Sequence, residues 1–310
     1  MGNKITQRKS VSISVIRILA TICIVLCHYQ QAYGSILSGV FNVGVQIFLV
    51  LSGFLFGHKD INDWRGFFKG RFMKLYFPMY IYTTLYLLIV LCYTDIDVHI
   101  VDFIKVDEAS GLTHLWFMKV IAFCYIITPL LQKFRTYANF VFLILCTIGL
   151  LEYLYLQVHL FWFSWIWLYS MGYFYVVLSF EIQKIVRGLL MIMVVFVTMN
   201  LSLNDILLFE GVQNRVWHDL IGLWTCFCVI PFLEFLNFRY IPKLFKWIDK
   251  YSFYIYISHH AYLIGVFSLV SMISNMGICI ILTLSLIILT SYLLAKVADF
   301  NILFLSKITK

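Results

Sequence analysis

The residues of this chain best suited to chemistry stand where a charge is least at home. Arg17, His28, Lys119, Glu152, Asp219, Glu234, His259 and His260 lie within or at the ends of long apolar runs. Ionisable groups at bilayer depth are costly and usually mark function. Arg17 and His28 carry the most information. Eleven residues separate them, almost three helical turns, so both side chains fall on one stripe, roughly 16 Å apart along the axis. A cation low and an imidazole high on that stripe suit a long anionic donor lying along the helix. Taken singly, each has a plainer reading: a structural arginine bonded to a backbone carbonyl, and an interfacial histidine. As an aligned pair they favour function. Lys119, Asp219 and Glu234 sit at the ends of their runs, where snorkelling to the interface accounts for them. The basic segment FFKGRFMKLYFP supplies Arg71 and Lys74. Arginine grips a phosphate bidentately and lysine acts as a point charge, yet alone such a cluster reads as a topology anchor or a contact to anionic lipid.

What must position these side chains is a membrane domain. Apolar residues make up 62% of the 310 positions and charged residues 12%, about half the charged share of a soluble domain. A soluble fold of this length has no way to hide so much apolar surface. On a ruler of about 20 apolar residues per span, the expected helices are 12–33, 39–57, 75–94, 114–132, 139–156, 160–179, 188–203, 217–236, 252–274 and 277–298. The second contains glycine and is short, and reads as broken or partly re-entrant. Of the 23 lysines and arginines, only Arg17, Lys105, Lys119 and Arg215 fall outside one set of alternate loops and the two termini. The opposite loop 95–113 is acidic, with Asp95, Asp97, Asp102, Asp107 and Glu108. The expectation is all-α, ten spans, both termini cytoplasmic.

The same distribution turns the net charge of +8 into a topology signal and removes nucleic acid as a partner. The eight cysteines all lie in apolar segments without metal-type spacing, and read as small apolar fillers; no metal site is expected. The apolar run after Lys9 lacks a small-residue cleavage site and carries an arginine, so it is not expected to be a cleaved signal. No linker-like stretch or internal repeat divides the sequence, which reads as one membrane domain over 1–310.

Five stretches then fall into a recognisable order: Arg17-Ile-Leu-Ala20 followed by His28; GVQIFLVLSGFLFG at 44–57; Arg71-x-x-Lys74 with Pro78; HLWFM at 114–118 with Tyr125 and Pro129; and YSFYIYISHHAYL at 251–263. Together they resemble the acyltransferase-3 family of multi-pass membrane acyltransferases, across residues 14–263. The sequence departs from the family pattern at Ser14 and Gln46, where acidic residues are common, and at Lys74, where a second arginine is common. The His-x-Trp-Phe form of the fourth motif is similar to the shorter branch, and no fused extracytoplasmic esterase-like domain is expected after 298.

The resemblance implies a ten-helix fold and transfer of an acyl group, most often acetyl, from cytoplasmic acetyl-CoA or another acyl-CoA to a hydroxyl. The carbohydrate acceptor would be a capsule, exopolysaccharide, lipopolysaccharide or cell-wall polymer outside a bacterial cytoplasmic membrane. Such a transfer needs a base for the alcohol proton, and imidazole suits it because its pKa lies near working pH. His28 takes that role, or that of a transient acyl carrier. Arg17, Arg71 and Lys74 would hold the donor's phosphates. Ser52 and Gly53 would let backbone approach the donor, or serve helix packing, at even weight. His114 and Trp116 suit an acceptor sugar, although tryptophan at that depth also anchors at the interface. His259 reads as a second polar contact or, preferably, a helix-packing hydrogen bond. No permanently bound cofactor is implied; the surroundings are lipid. A transporter or flippase for a lipid-linked or anionic solute fits many spans and buried Arg/His too, but two related halves with paired short helices are missing. An inactive scaffold would have no use for both Arg17 and His28.

Overall fold

A computed structural model describes residues 6–96, 98–152, 161–201, 212–236 and 242–308. Among them every regular element is helical. The main helices are α1 (Gln7–Ala32), α2 (Gly44–Gly57), α3 (Trp64–Tyr93), α4 (Trp116–Lys133) and α5 (Ala138–Leu151), followed by α6 (Phe161–Tyr175), α7 (Phe180–Asn200), α8 (Asn214–Leu236), α9 (Pro242–Leu263) and α10 (Met276–Ile308). Seven described helices are long and apolar enough to cross a membrane: α1, α2 with the turn before it, α3, α4, α7, α8 and α10. Among the described residues the fold is all-α, with the long apolar helices of a polytopic membrane protein. Its outward side chains agree, for α7 exposes Ile192, Val195, Phe196 and Met199, and α10 exposes Ile281, Ile288 and Leu293. Lipid tails satisfy such a surface, and the intrahelical hydrogen bonds satisfy the backbone.

Several boundaries differ from those expected. The helix expected over 252–274 starts at Pro242 and stops at Leu263. It stops where the Gly265 N–H closes on the His260 carbonyl at 2.7 Å, out of the i→i−4 pattern, and Ser268 Oγ donates to the Leu263 carbonyl at 2.6 Å. The helices expected at 75–94 and 188–203 begin earlier, at Trp64 and Phe180, on caps from Asp63 and Ser179 whose side chains accept from the Gly66 and Ile182 amides. The second helix is regular through its glycines, with the break placed before it at Asn42–Val43. Parts of the spans expected at 139–156, 160–179 and 188–203 lie outside the described residues, as do Lys4, Asp97, Arg239 and Lys310 of the charge argument.

Two helices widen ahead of a proline. Over Phe72–Tyr76 the bonding shifts to i→i−5, with the Phe77 amide on the Phe72 carbonyl, and Thr225–Val229 behaves alike. Pro78 and Pro231 follow two residues later; each lacks the N–H that would bond the fourth carbonyl back, so the turn opens to use other donors. In α8 the carbonyl that Pro231 leaves unmet, that of Phe227, accepts from Tyr175 Oη at 3.4 Å, and the two rings stack 3.7 Å apart.

The contacts sort the chain into two compact units. The first holds Met1–Cys27, Ile36–Asn62 and Val120–Asp249. Its centre is α2 against α6: a Cβ on Gly53 would run into the Tyr169 carbonyl, one on Gly57 into that of Tyr173, and one on Gly172 into that of Val50. Only small residues allow backbones so near. Around this contact lie buried Trp165, Tyr169, Tyr173 and Phe174, with Thr128 Oγ1 2.7 Å from Tyr169 Oη. Asp219 does not snorkel: it is buried and accepts from Ser164 Oγ at 2.7 Å. Arg215 lies over the Trp165 ring, 3.8 Å from its centroid.

The second unit holds His28–Ser35, Asp63–Lys119 and Lys250–Lys310. Tyr82 Oη of α3 reaches the Ser258 carbonyl at 3.5 Å, Ser258 Oγ lies 3.0 Å from Ser291 Oγ of α10, and Tyr262 Oη lies 2.6 Å from Thr290 Oγ1. These polar ties knit α3, α9 and α10 where apolar contact gives little advantage over lipid. Lys119 pairs with Asp107 at 2.7 Å, so its charge is met within the unit.

Candidate active site

The second unit gathers four imidazoles. His28 comes from the last turns of α1, His114 from the turn Thr113–Leu115 that leads into α4, and His259 and His260 from α9. The His28 ring lies 5.2 Å from that of His259 and 5.0 Å from that of His260, centroid to centroid. His114 lies 5.1 Å from His259 and stacks on His260 at 4.5 Å. Consecutive residues on a helix diverge by about 100°; His28 enters the angle between His259 and His260, whose own centroids are 6.1 Å apart.

Each ring is anchored through one nitrogen to an oxygen that only accepts. His28 Nδ1 stands 2.7 Å from Gln31 Oε1, one helical turn on. His114 Nε2 donates to the Ile257 carbonyl at 3.1 Å. His259 Nδ1 donates to the Tyr256 carbonyl at 2.7 Å, and His260 Nδ1 to the Gly111 carbonyl at 3.0 Å. Gly111 presents that carbonyl from a left-handed conformation, φ +77°, with Tyr86 Oη where a Cβ would stand. The anchored nitrogen carries the proton, so in the neutral ring the other nitrogen keeps a lone pair. His28 therefore offers Nε2 as an acceptor. Tyr256 steadies the group from behind, its Oη donating to the His114 carbonyl at 2.7 Å.

The remaining sequence-derived residues are distributed as follows. Trp116 opens α4, half-buried, with its ring edge-on to Phe117 at 6.3 Å. Arg71 and Lys74 stand at the widened turn of α3; the Arg71 guanidinium lies 5.9 Å from the Phe67 ring centroid and Lys74 is exposed. In the first unit Ser52 is half-buried on α2 and Gly53 is enclosed by the α6 backbone. Arg17 does not bond a backbone carbonyl: its Nη1 meets Asp249 Oδ2 at 2.8 Å, and Ser14 Oγ donates to the same oxygen at 2.8 Å. Ser14 thus hands the Arg17 pairing to a carboxylate from α9.

Three contributors went unassigned in the sequence. Gln31 carried a signal, being one turn from His28. His260 is visible in the sequence, beside His259. Asp249 lies between Lys246 and Lys250 and reads there as a surface charge. Among the described residues no group of histidine, cysteine and carboxylate side chains is disposed to hold a metal ion.

Residues 10–296 match a family model described as an acyltransferase domain, Acyl_transf_3. Neither the curated proteins nor the solved structures give a match.

Proposed function

We propose, from the premise that this chain belongs to the acyltransferase-3 family, that it is a membrane O-acetyltransferase. In this reading it moves acetyl from cytoplasmic acetyl-CoA to a hydroxyl of a cell-surface carbohydrate, in a bacterial cytoplasmic membrane. The observation that supports it most is the state of His28, whose Nδ1–H is held by Gln31 Oε1 at 2.7 Å, leaving Nε2 to take a proton.

As the acceptor oxygen bonds to the thioester carbonyl carbon, its proton passes to His28 Nε2. The C–S bond then breaks, and the departing thiolate takes the proton back from the imidazolium, giving ester and free thiol. Alignment of thioester and hydroxyl in a water-poor site supplies several kcal/mol, of the order that oriented intramolecular reactions show. Arg17, Arg71 and Lys74 are assigned to the donor's phosphates. His114, His259 and Trp116 serve the acceptor. Gly53 is assigned to helix packing and leaves donor contact to Ser52. The ten-span arrangement with both termini cytoplasmic rests on the alternation of basic and acidic loops.

The test is reconstitution of the purified chain in nanodiscs with acetyl-labelled acetyl-CoA and a hydroxyl acceptor. Label passing into an alkali-labile ester, matched by CoA release, supports the reading. A chain that neither binds nor consumes acyl-CoA, but moves a labelled anionic solute across a vesicle, overturns it.

A further inference from the structure

Two nitrogens of the imidazole cluster are buried and have no hydrogen-bond partner among the described residues: His114 Nδ1 and His259 Nε2. Their side chains belong to residues 5% and 0% exposed. The opposite nitrogen of each ring donates to a backbone carbonyl, so each orphan bears a lone pair. A buried acceptor left unmet forfeits its solvation. The two rings lie 5.1 Å apart, and the His28 ring lies 5.2 Å from His259.

Such a pair accepts; it has nothing to donate. Phosphates, carboxylates and thioester carbonyls bring only lone pairs, so the donor's polar groups find no partner here. A cation would bring hydrogen-bond donors, but the four rings bond to an amide oxygen and backbone carbonyls and to no carboxylate among the described residues that would balance its charge. What remains is a neutral donor, and in an acceptor made of hydroxyls that donor is an O–H.

We propose that a second hydroxyl of the acceptor, next to the one that reacts at His28, donates its proton to one of the pair His114 Nδ1 and His259 Nε2, so that the protein acylates neutral vicinal diols in preference to monoalcohols. The inference rests on the reading of His28 as the base. It adds a requirement that the base alone does not impose, because an acceptor with a single hydroxyl brings no donor to either orphan nitrogen. A site built around a substrate hydroxyl rejects the analogue that lacks it for this reason.

The experiment uses the full chain in nanodiscs, acetyl-CoA, and three small alcohols in place of the carbohydrate: 1,2-propanediol, 1,3-propanediol and 1-propanol. Initial rates of ester formation and of CoA release are followed together. The expected result is a preference for 1,2-propanediol over 1-propanol of about tenfold in kcat/KM, with 1,3-propanediol close to 1-propanol. His114→Phe and His259→Phe narrow the ratio toward one whatever they do to the absolute rate. The wild-type ratio is decisive by itself, so a variant that does not fold leaves the test intact. Ester formation from all three alcohols at similar efficiency overturns the inference while acyl transfer stands. Absence of CoA release with any of them overturns the acyl-transfer reading, and the inference with it.

Discussion

Asp249→Asn is the substitution that separates a structural Arg17 from a ligand-binding one. In the folded chain Asp249 Oδ2 accepts both the Arg17 guanidinium and the Ser14 hydroxyl at 2.8 Å. Asparagine keeps the shape and an oxygen for Ser14 but removes the charge that competes for Arg17. Two unit charges about 4 Å apart attract by about 4 kcal/mol at an effective dielectric of ~20. The Arg17 side chain is 36% exposed and that of Asp249 10%. Solvent screening and the ordering of the long side chain reduce the net effect to about 1 kcal/mol. If Arg17 serves the donor's phosphates, releasing it from Asp249 strengthens CoA binding by that amount, about fivefold in Kd, and more at low salt than at high. Arg17→Ala weakens CoA binding and leaves a largely buried carboxylate unpaired, lowering the unfolding temperature as well. The assay is calorimetric titration of nanodisc-embedded protein with CoA at two ionic strengths. An unchanged Kd in both variants would refute the reasoning and return Arg17 to a purely structural role.

Three further outcomes follow from the structure. Gln31→Leu frees His28 Nδ1 from its acceptor and lowers kcat about tenfold with CoA affinity unchanged; Gln31→Glu, whose carboxylate accepts the same proton, restores the rate, as single-turnover kinetics would show. Gly53→Ala pushes a Cβ into the Tyr169 carbonyl and costs about 1–3 kcal/mol, visible as a lower unfolding temperature in detergent, whereas Ser52→Ala leaves that temperature within a degree or two. His58, in the loop after α2, is pushed down to about 4 by burial and by the nearby Lys9 and Arg135 charges. The unfolded chain therefore binds more protons between the ordinary histidine value near 6.5 and 4, and stability that is present above that value is lost as pH falls through the window. The acid-side decline in unfolding temperature is shallower in His58→Gln, and an equal slope in both proteins excludes His58 as its source.

Much of the helical layout was legible because apolar run length is dictated by the bilayer. The boundaries were less so, since they depend on which donors meet the last carbonyls. Gly265 and Ser268 ended α9 inside an apolar run that composition alone would have continued to 274. Pro78 and Pro231 were visible, but the widened turns ahead of them require knowing that the helix persists through the proline. Among site residues, the stripe from Arg17 to His28 followed from helical periodicity. The approach of His259 and His260 to His28 did not, because packing between separate helices leaves no period in either sequence. Asp249 shows the same limit: a carboxylate among lysines becomes the partner of Arg17 only once α9 lies beside α1 within the first unit. Gly53 was evenly balanced between ligand approach and packing until the Tyr169 carbonyl occupied the space above it.

The central claim is tested most directly by comparing wild type with His28→Ala in nanodiscs, measuring acetyl transfer from acetyl-CoA and CoA binding on the same preparations. The account predicts turnover by wild type, a loss of at least about a hundredfold in the variant, and CoA affinity within about twofold of wild type. Equal turnover in both proteins would contradict the role of His28, and the absence of acyl-CoA binding or turnover in wild type would contradict the account as a whole.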